Sequence, residues 1–156
     1  MELLVKKLKE DAILPTRAHD TDSGLDLYAY ILDNTKPEEI VIYQRQRRLI
    51  PTGIAVKAPA PTVFDHLFEL QIRPRSGLAH KYGVTCHWGT IDNSYTGELF
   101  VNVFNFGDKP FTVTQGMKIA QLVMAPIIIP KLKIVDELPV TDRGTSGYGS
   151  TGLYAT

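Results

Sequence analysis

Residues 98–106 read ELFVNVFNF, and the alternation inside them decides the fold. Successive side chains of an extended strand point to opposite faces. Leu99, Val101, Val103 and Asn105 therefore share one face, and Phe100, Asn102, Phe104 and Phe106 share the other. Both faces are largely apolar. A strand of this kind is covered twice, in a barrel or between subunits.

Working outward, seven more stretches have strand character: LLVKKL (3–8), LDLYAY (25–30), EIVIY (39–43), RRLIPTGIAVKA (47–58), HLFELQIR (66–73), PFTVT (110–114) and KIAQLVMAPIII (118–129). They are short, rich in β-branched and aromatic residues, and separated by Gly, Pro, Asn and Asp. The best helix candidate spans Ser76 to Lys81, with Ser76 able to cap it and Gly83 able to end it. The fold class expected is all-β, a jelly roll or distorted barrel with one short helix.

The chain has 156 residues, which fits one domain. Lys plus Arg and Asp plus Glu both total 17, so broad electrostatic attraction to nucleic acid or to an anionic membrane is not expected. Arg45, Arg47 and Arg48 read as residues of an exposed strand rather than a nucleic-acid patch. The lone Cys86 has no partner for an intrachain disulfide, and charges interrupt MELLVKKLKEDAILP (1–15) before a signal-peptide core develops. The apolar run LVMAPIIIP (122–130) is about half a membrane span. A cytoplasmic protein is expected.

Five stretches carry chemistry. In DTDSGLDLYA (20–29) the acidic spacing fails the EF-hand register, leaving a polar turn or a functional Asp26 set between Leu25 and Leu27. In RPRSGLAHKYG (73–83), Arg75 and Ser76 stand at the start of the helix, as a phosphate site or as a capped surface helix. In GTIDNSYTGELFV (89–101) the turn DNSYTG predicts a β-hairpin; Asp92 has the chemistry of a general base and Tyr95 that of a stacking ring. Gln121 is a polar break in an apolar strand, either a structural amide or a ligand contact. Finally, RGTSGYGSTGLYAT (143–156) contains G-x-G-x-x-G. Only four residues follow Gly152, which leaves no room for the helix of a dinucleotide fold. Arg143, Ser150 and Thr151 remain good anion-binding types beside a Gly-rich backbone.

Taken in order, SGLDLYA, PRSGLA, GTIDNSYTGE, KIAQLV and RGTSGYGSTG resemble the five motifs of the trimeric dUTPases, over a span from Leu4 to Gly152. The resemblance implies a jelly roll over residues 1–142 with a swapped, flexible C-terminal lid over 143–156. It implies a magnesium-dependent enzyme that hydrolyses dUTP to dUMP and pyrophosphate. Asp26 would hold Mg2+ through its water shell. Arg75, Ser76 and Gly77 would contact the phosphate chain, with Gln121 nearby. Asp92 would activate the attacking water and bind the 3′-hydroxyl, while Tyr95 would pack against the deoxyribose. Tyr148 would cover the uracil, Arg143, Ser150 and Thr151 would grip the γ-phosphate, and Gly149 would also bind the nucleotide. Each site of the homotrimer would draw on three chains.

Three positions depart from the family pattern. Tyr148 stands where Phe is usual, Lys118 where an arginine is common, and Cys86 near a position where some members read uracil with Asn. The resemblance also implies a setting in the cytoplasm, or in host cytoplasm if the chain is viral. Two rivals share the scaffold. One is a dCTP deaminase, disfavoured because Asn102 occupies the position of its catalytic glutamate and Gly77 follows Arg75-Ser76 where it has a second serine. The other is a non-enzymatic binding protein.

Overall fold

The computed structural model describes residues 2–32, 39–60 and 67–147. Its elements in chain order are β1 (Leu4–Lys7), β2 (Gly24–Tyr28), β3 (Glu39–Ile42), β4 (Arg47–Lys57), β5 (Leu67–Arg73), α1 (Ser76–Tyr82), β6 (Val84–Cys86), β7 (Gly89–Ile91), β8 (Glu98–Asn105), β9 (Phe111–Thr114) and β10 (Lys118–Ile127). They form a β1-β4-β8-β6 sheet, a β2-β10-β5-β7 sheet and a small β3-β9 ladder, with every pairing antiparallel. The all-β expectation holds. One apolar core joins all three sheets, with Leu27, Ile42, Ile50, Leu70, Val84, Leu99, Val101, Val113 and Leu122 all at 0–1% exposure. Each such side chain contributes about 1.5–3 kcal/mol on burial.

The alternation in 98–106 resolves as expected on one face only. Leu99, Val101, Val103 and Asn105 are buried, and the amide of Asn105 is satisfied: Nδ2 donates to the carbonyls of Ile42 and Lys109, each at 2.8 Å, and Oδ1 accepts from Gly107 N at 2.9 Å. On the other face Phe100 and Phe106 are 40% and 68% exposed, so this apolar surface is uncovered in a single chain.

Two local expectations are corrected. Ser76 does not cap α1. Arg75 occupies the N-cap position in an extended conformation with no side-chain cap, and its carbonyl accepts from Leu78 N and Ala79 N, each at 3.2 Å; Ser76 is the first helical residue. Gly83 does end the helix, in the left-handed region at φ 65°. The second correction concerns the turn after Ile91, which does not close a hairpin. β7 pairs with β5, whereas β8 lies between β4 and β6, so residues 92–97 carry the chain from one sheet to the other. Turn residues specify a reversal of direction. The ladder partner is set by burial, and the fully buried face of β8 requires a central position.

No helix among the described residues is long and apolar enough to cross a membrane.

Candidate functional site

Antiparallel register aligns Gln121 on β10 with Asp26 on one side and with Arg73 on the other, across three adjacent strands. Leu27 points into the core at 0% exposure, so alternation turns Asp26 to the opposite face of β2. Asp26 is nevertheless only 6% exposed, and a carboxylate buried there needs compensation. Two cations supply it: Arg75 Nε lies 3.0 Å from Oδ1, and Lys118 Nζ lies 2.8 Å from Oδ2. The Lys118 ammonium is in turn held above its ordinary pKa, first by its hydrogen bond to Asp26 and then by the carboxylate's charge. Arg75 Nη1 donates to Lys118 O at 3.3 Å. Its Nε, although within ion-pair distance of Asp26, is misdirected for a hydrogen bond and lacks an acceptor among the described residues.

These groups open onto a polar cavity of about 270 Å³ lined by Ala18, Asp22, Ser23, Gly24, Asp26, Arg75 and Gln121. Gly24 makes room for the glutamine, since a Cβ there would come within 2.7 Å of Gln121 Oε1. Ser76 and Gly77 follow Arg75 and are exposed. A Cβ on Gly77 would meet nothing within 4 Å, so the chain itself gives no steric reason for that glycine.

No group of three or more His, Cys, Asp or Glu side chains able to hold a metal exists among the described residues. Both oxygens of Asp26 already face cations. Magnesium commonly keeps several waters and uses one or two carboxylates plus phosphate oxygens. The donor set of the described residues therefore does not fit an ion caged by protein alone.

Asp92 and Tyr95 lie elsewhere. Their turn is closed by Tyr95 N donating to Asp92 O at 3.0 Å, and the Tyr95 hydroxyl donates to Glu98 O at 2.8 Å. The ring packs so closely on Gly97 that a Cβ there would come within 2.5 Å of the phenol oxygen. Thr90, Ile91, Asp92, Tyr95, Glu98 and Phe100 line a second cavity of about 220 Å³. It shares no residue with the first.

Arg143 belongs to neither cavity. It lies on the exposed stretch 128–147, where its Nε donates to Ser146 O at 3.0 Å. This stretch displays Leu132, Ile134 and Val140 at 96–99% exposure. Tyr148, Gly149, Ser150 and Thr151 lie outside the described residues. One chain thus brings Asp26, Arg75 and Gln121 together, with Ser76 and Gly77 alongside, but not Asp92, Tyr95 or Arg143. Sequence reasoning missed Lys118 as a partner of Asp26, and it missed Gly24 and Gly97 as spacers. Register could have suggested Lys118; nothing local marks the glycines.

The family model described as dUTPase matches residues 10–152. The chain is 45% identical over 155 residues to the deoxyuridine 5'-triphosphate nucleotidohydrolase of Clostridium novyi (strain NT), covering 98% of this chain and 100% of that protein. It is 47% identical over 155 residues to the enzyme of that name from Gloeothece citriformis, covering 98% of each. Among solved structures, a mutant Staphylococcus bacteriophage 80alpha dUTPase with dUpNHpp superposes with a TM-score of 0.82 at 28% identity, covering 97% of this chain and 99% of that one. A mutant dUTPase from phage phi11 of S. aureus, described with a structural Mg(II) ion, gives 0.75 at 26% identity over 90% and 100% of the two chains.

Proposed function

The chain belongs to the dUTPase family, and from that premise we propose that it hydrolyses dUTP to dUMP and pyrophosphate by attack of water on the α-phosphorus. The observation that carries the reading is the polar cavity where Asp26, Arg75 and Gln121 converge. Arg75, Ser76 and Gly77 grip the phosphate chain, and the position of Arg75 in the wall of that cavity supports its role. Asp26 receives magnesium through water, and magnesium supplies charge neutralisation on the triphosphate. Asp92 accepts the proton of the attacking water and binds the 3′-hydroxyl. Tyr95, held over Gly97, packs on the deoxyribose and leaves no space for a 2′-hydroxyl.

These groups act together in a homotrimer. Three observations support it: two cavities with no shared residue, the uncovered apolar face of β8, and the exposed apolar side chains Ile128, Leu132, Ile134, Leu138 and Val140. One chain contributes Asp26, Arg75 and Gln121, a second Asp92 and Tyr95, and a third the segment 143–156, as a lid on the 1–142 domain. In that lid Tyr148 covers uracil while Arg143, Gly149, Ser150 and Thr151 close on the nucleotide. A cytoplasmic setting belongs to the same reading.

Pyrophosphate release from dUTP, dTTP, dCTP and UTP, with magnesium and with a chelator, tests this. Release from dUTP alone, lost on chelation, is expected. Ammonia release from dCTP overturns the reading.

A further inference from the structure

Asp92 is exposed, and no hydrogen bond holds its side chain among the described residues. A general base must nonetheless sit within hydrogen-bond reach of the water it activates. Its position therefore comes from the backbone on either side. Upstream, Ile91 is fixed by its ladder with Leu70. Downstream, the chain leaves the sheet and crosses to the other one, and the next residue is Asn93.

Asn93 is bound at every polar atom of its side chain. Nδ2 donates to Phe68 O at 3.0 Å and to Pro59 O at 3.2 Å. Oδ1 accepts from Lys57 Nζ at 2.9 Å, and the same ammonium donates to Asn93 O at 2.5 Å. The amide orientation is fixed by this pattern, because the reverse would aim Oδ1 at two carbonyls. Phe68 lies in β5, Lys57 ends β4, and Pro59 follows it. One asparagine thus ties the crossing turn to an element of each large sheet.

We infer that Asn93 and Lys57 are positioning residues that set the reach of Asp92. The inference rests on the proposed function. Lys57 holds the asparagine by both its side-chain and main-chain oxygens, and the asparagine holds the turn; neither lines the cavity that contains Asp92 and Tyr95. The coupling is one-way in sequence but mutual in energy, so the two deletions should not add.

The test is steady-state hydrolysis of dUTP by Lys57→Met, Asn93→Ala, the double variant and Lys57→Arg, each assayed well below its own thermal midpoint. The expected result is a fall in kcat of at least about tenfold in each single deletion, because small displacements of a reacting group are costly. The double variant should be no slower than Asn93→Ala, and Lys57→Arg should recover most of the rate. Methionine keeps the lysine's apolar stem, so Lys57→Met decides the matter if Asn93→Ala does not fold. A lowered thermal midpoint with kcat falling less than about tenfold means a purely structural role and overturns the inference. So does additivity in the double variant, or a loss that arginine does not recover. A wild-type protein that releases no pyrophosphate from dUTP overturns the functional reading and this inference with it.

Discussion

Lys118 places its ammonium 2.8 Å from Asp26 Oδ2, on the same strand that sets Gln121 opposite that aspartate. Where an arginine would present a planar fork, the lysine acts as a compact point charge on one carboxylate oxygen. Arg75 holds the other oxygen.

This pair has a pH signature. Asp26 holds the Lys118 pKa above its ordinary 10.5. A cation raised on folding adds stability that is complete below the ordinary value and is lost as pH rises through the raised one. The difference in thermal midpoint between wild type and Lys118→Met should therefore be constant from neutral pH to about 9, then shrink above about 10.5. A difference that vanishes by pH 8 contradicts the ion pair.

Asp92→Asn keeps shape and removes the base. Turnover should fall about 10²- to 10⁴-fold while affinity for an uncleavable dUTP analogue stays close to wild type. Calorimetric binding beside single-turnover kinetics separates the two. Near-normal turnover removes Asp92 as the base.

Gly97→Ala tests the sugar wall. The new methyl would meet the Tyr95 ring and phenol oxygen, so the ring must move and its hydroxyl must leave Glu98 O. The ratio of kcat/KM for dUTP over UTP should drop by about tenfold. Tyr95→Phe keeps the ring and should change that ratio less. An unchanged ratio in Gly97→Ala refutes the role given to Tyr95.

Deleting residues 143–156 should leave a folded trimer, since residues 143–147 are exposed and bury nothing. The kcat/KM for dUTP should fall about a hundredfold as the γ-phosphate clamp and uracil cover are lost. Light scattering of the truncated protein and its pyrophosphate release check both halves. Full activity sinks the lid hypothesis.

Local pattern made most of the strands legible. Period-2 alternation in 98–106 identified β8 and its buried face, and β-branched runs identified β4, β5 and β10. The three-residue strands β6 and β7 were too short to carry a period of their own; residues 84–86 went unread as a strand, and 89–91 entered only as the first arm of the expected hairpin. The motif residues were legible as chemical types, and their order along the chain identified the family.

By itself, then, the sequence determined the strand content, the single short helix ended by Gly83, and the residue types available to meet a nucleotide. Tertiary structure alone decided which of them meet. It set Gln121 between Asp26 and Arg73, brought Lys118 onto Asp26, turned the expected hairpin into a crossing between sheets, and kept Asp92 out of the cavity that holds Arg75. The reason is physical. Alternation and turn propensity act between near neighbours, so they can be read locally. Register and pairing partner are chosen by burial summed over whole sheets, and contacts such as Lys57 with Asn93 join positions whose separation along the chain carries no pattern.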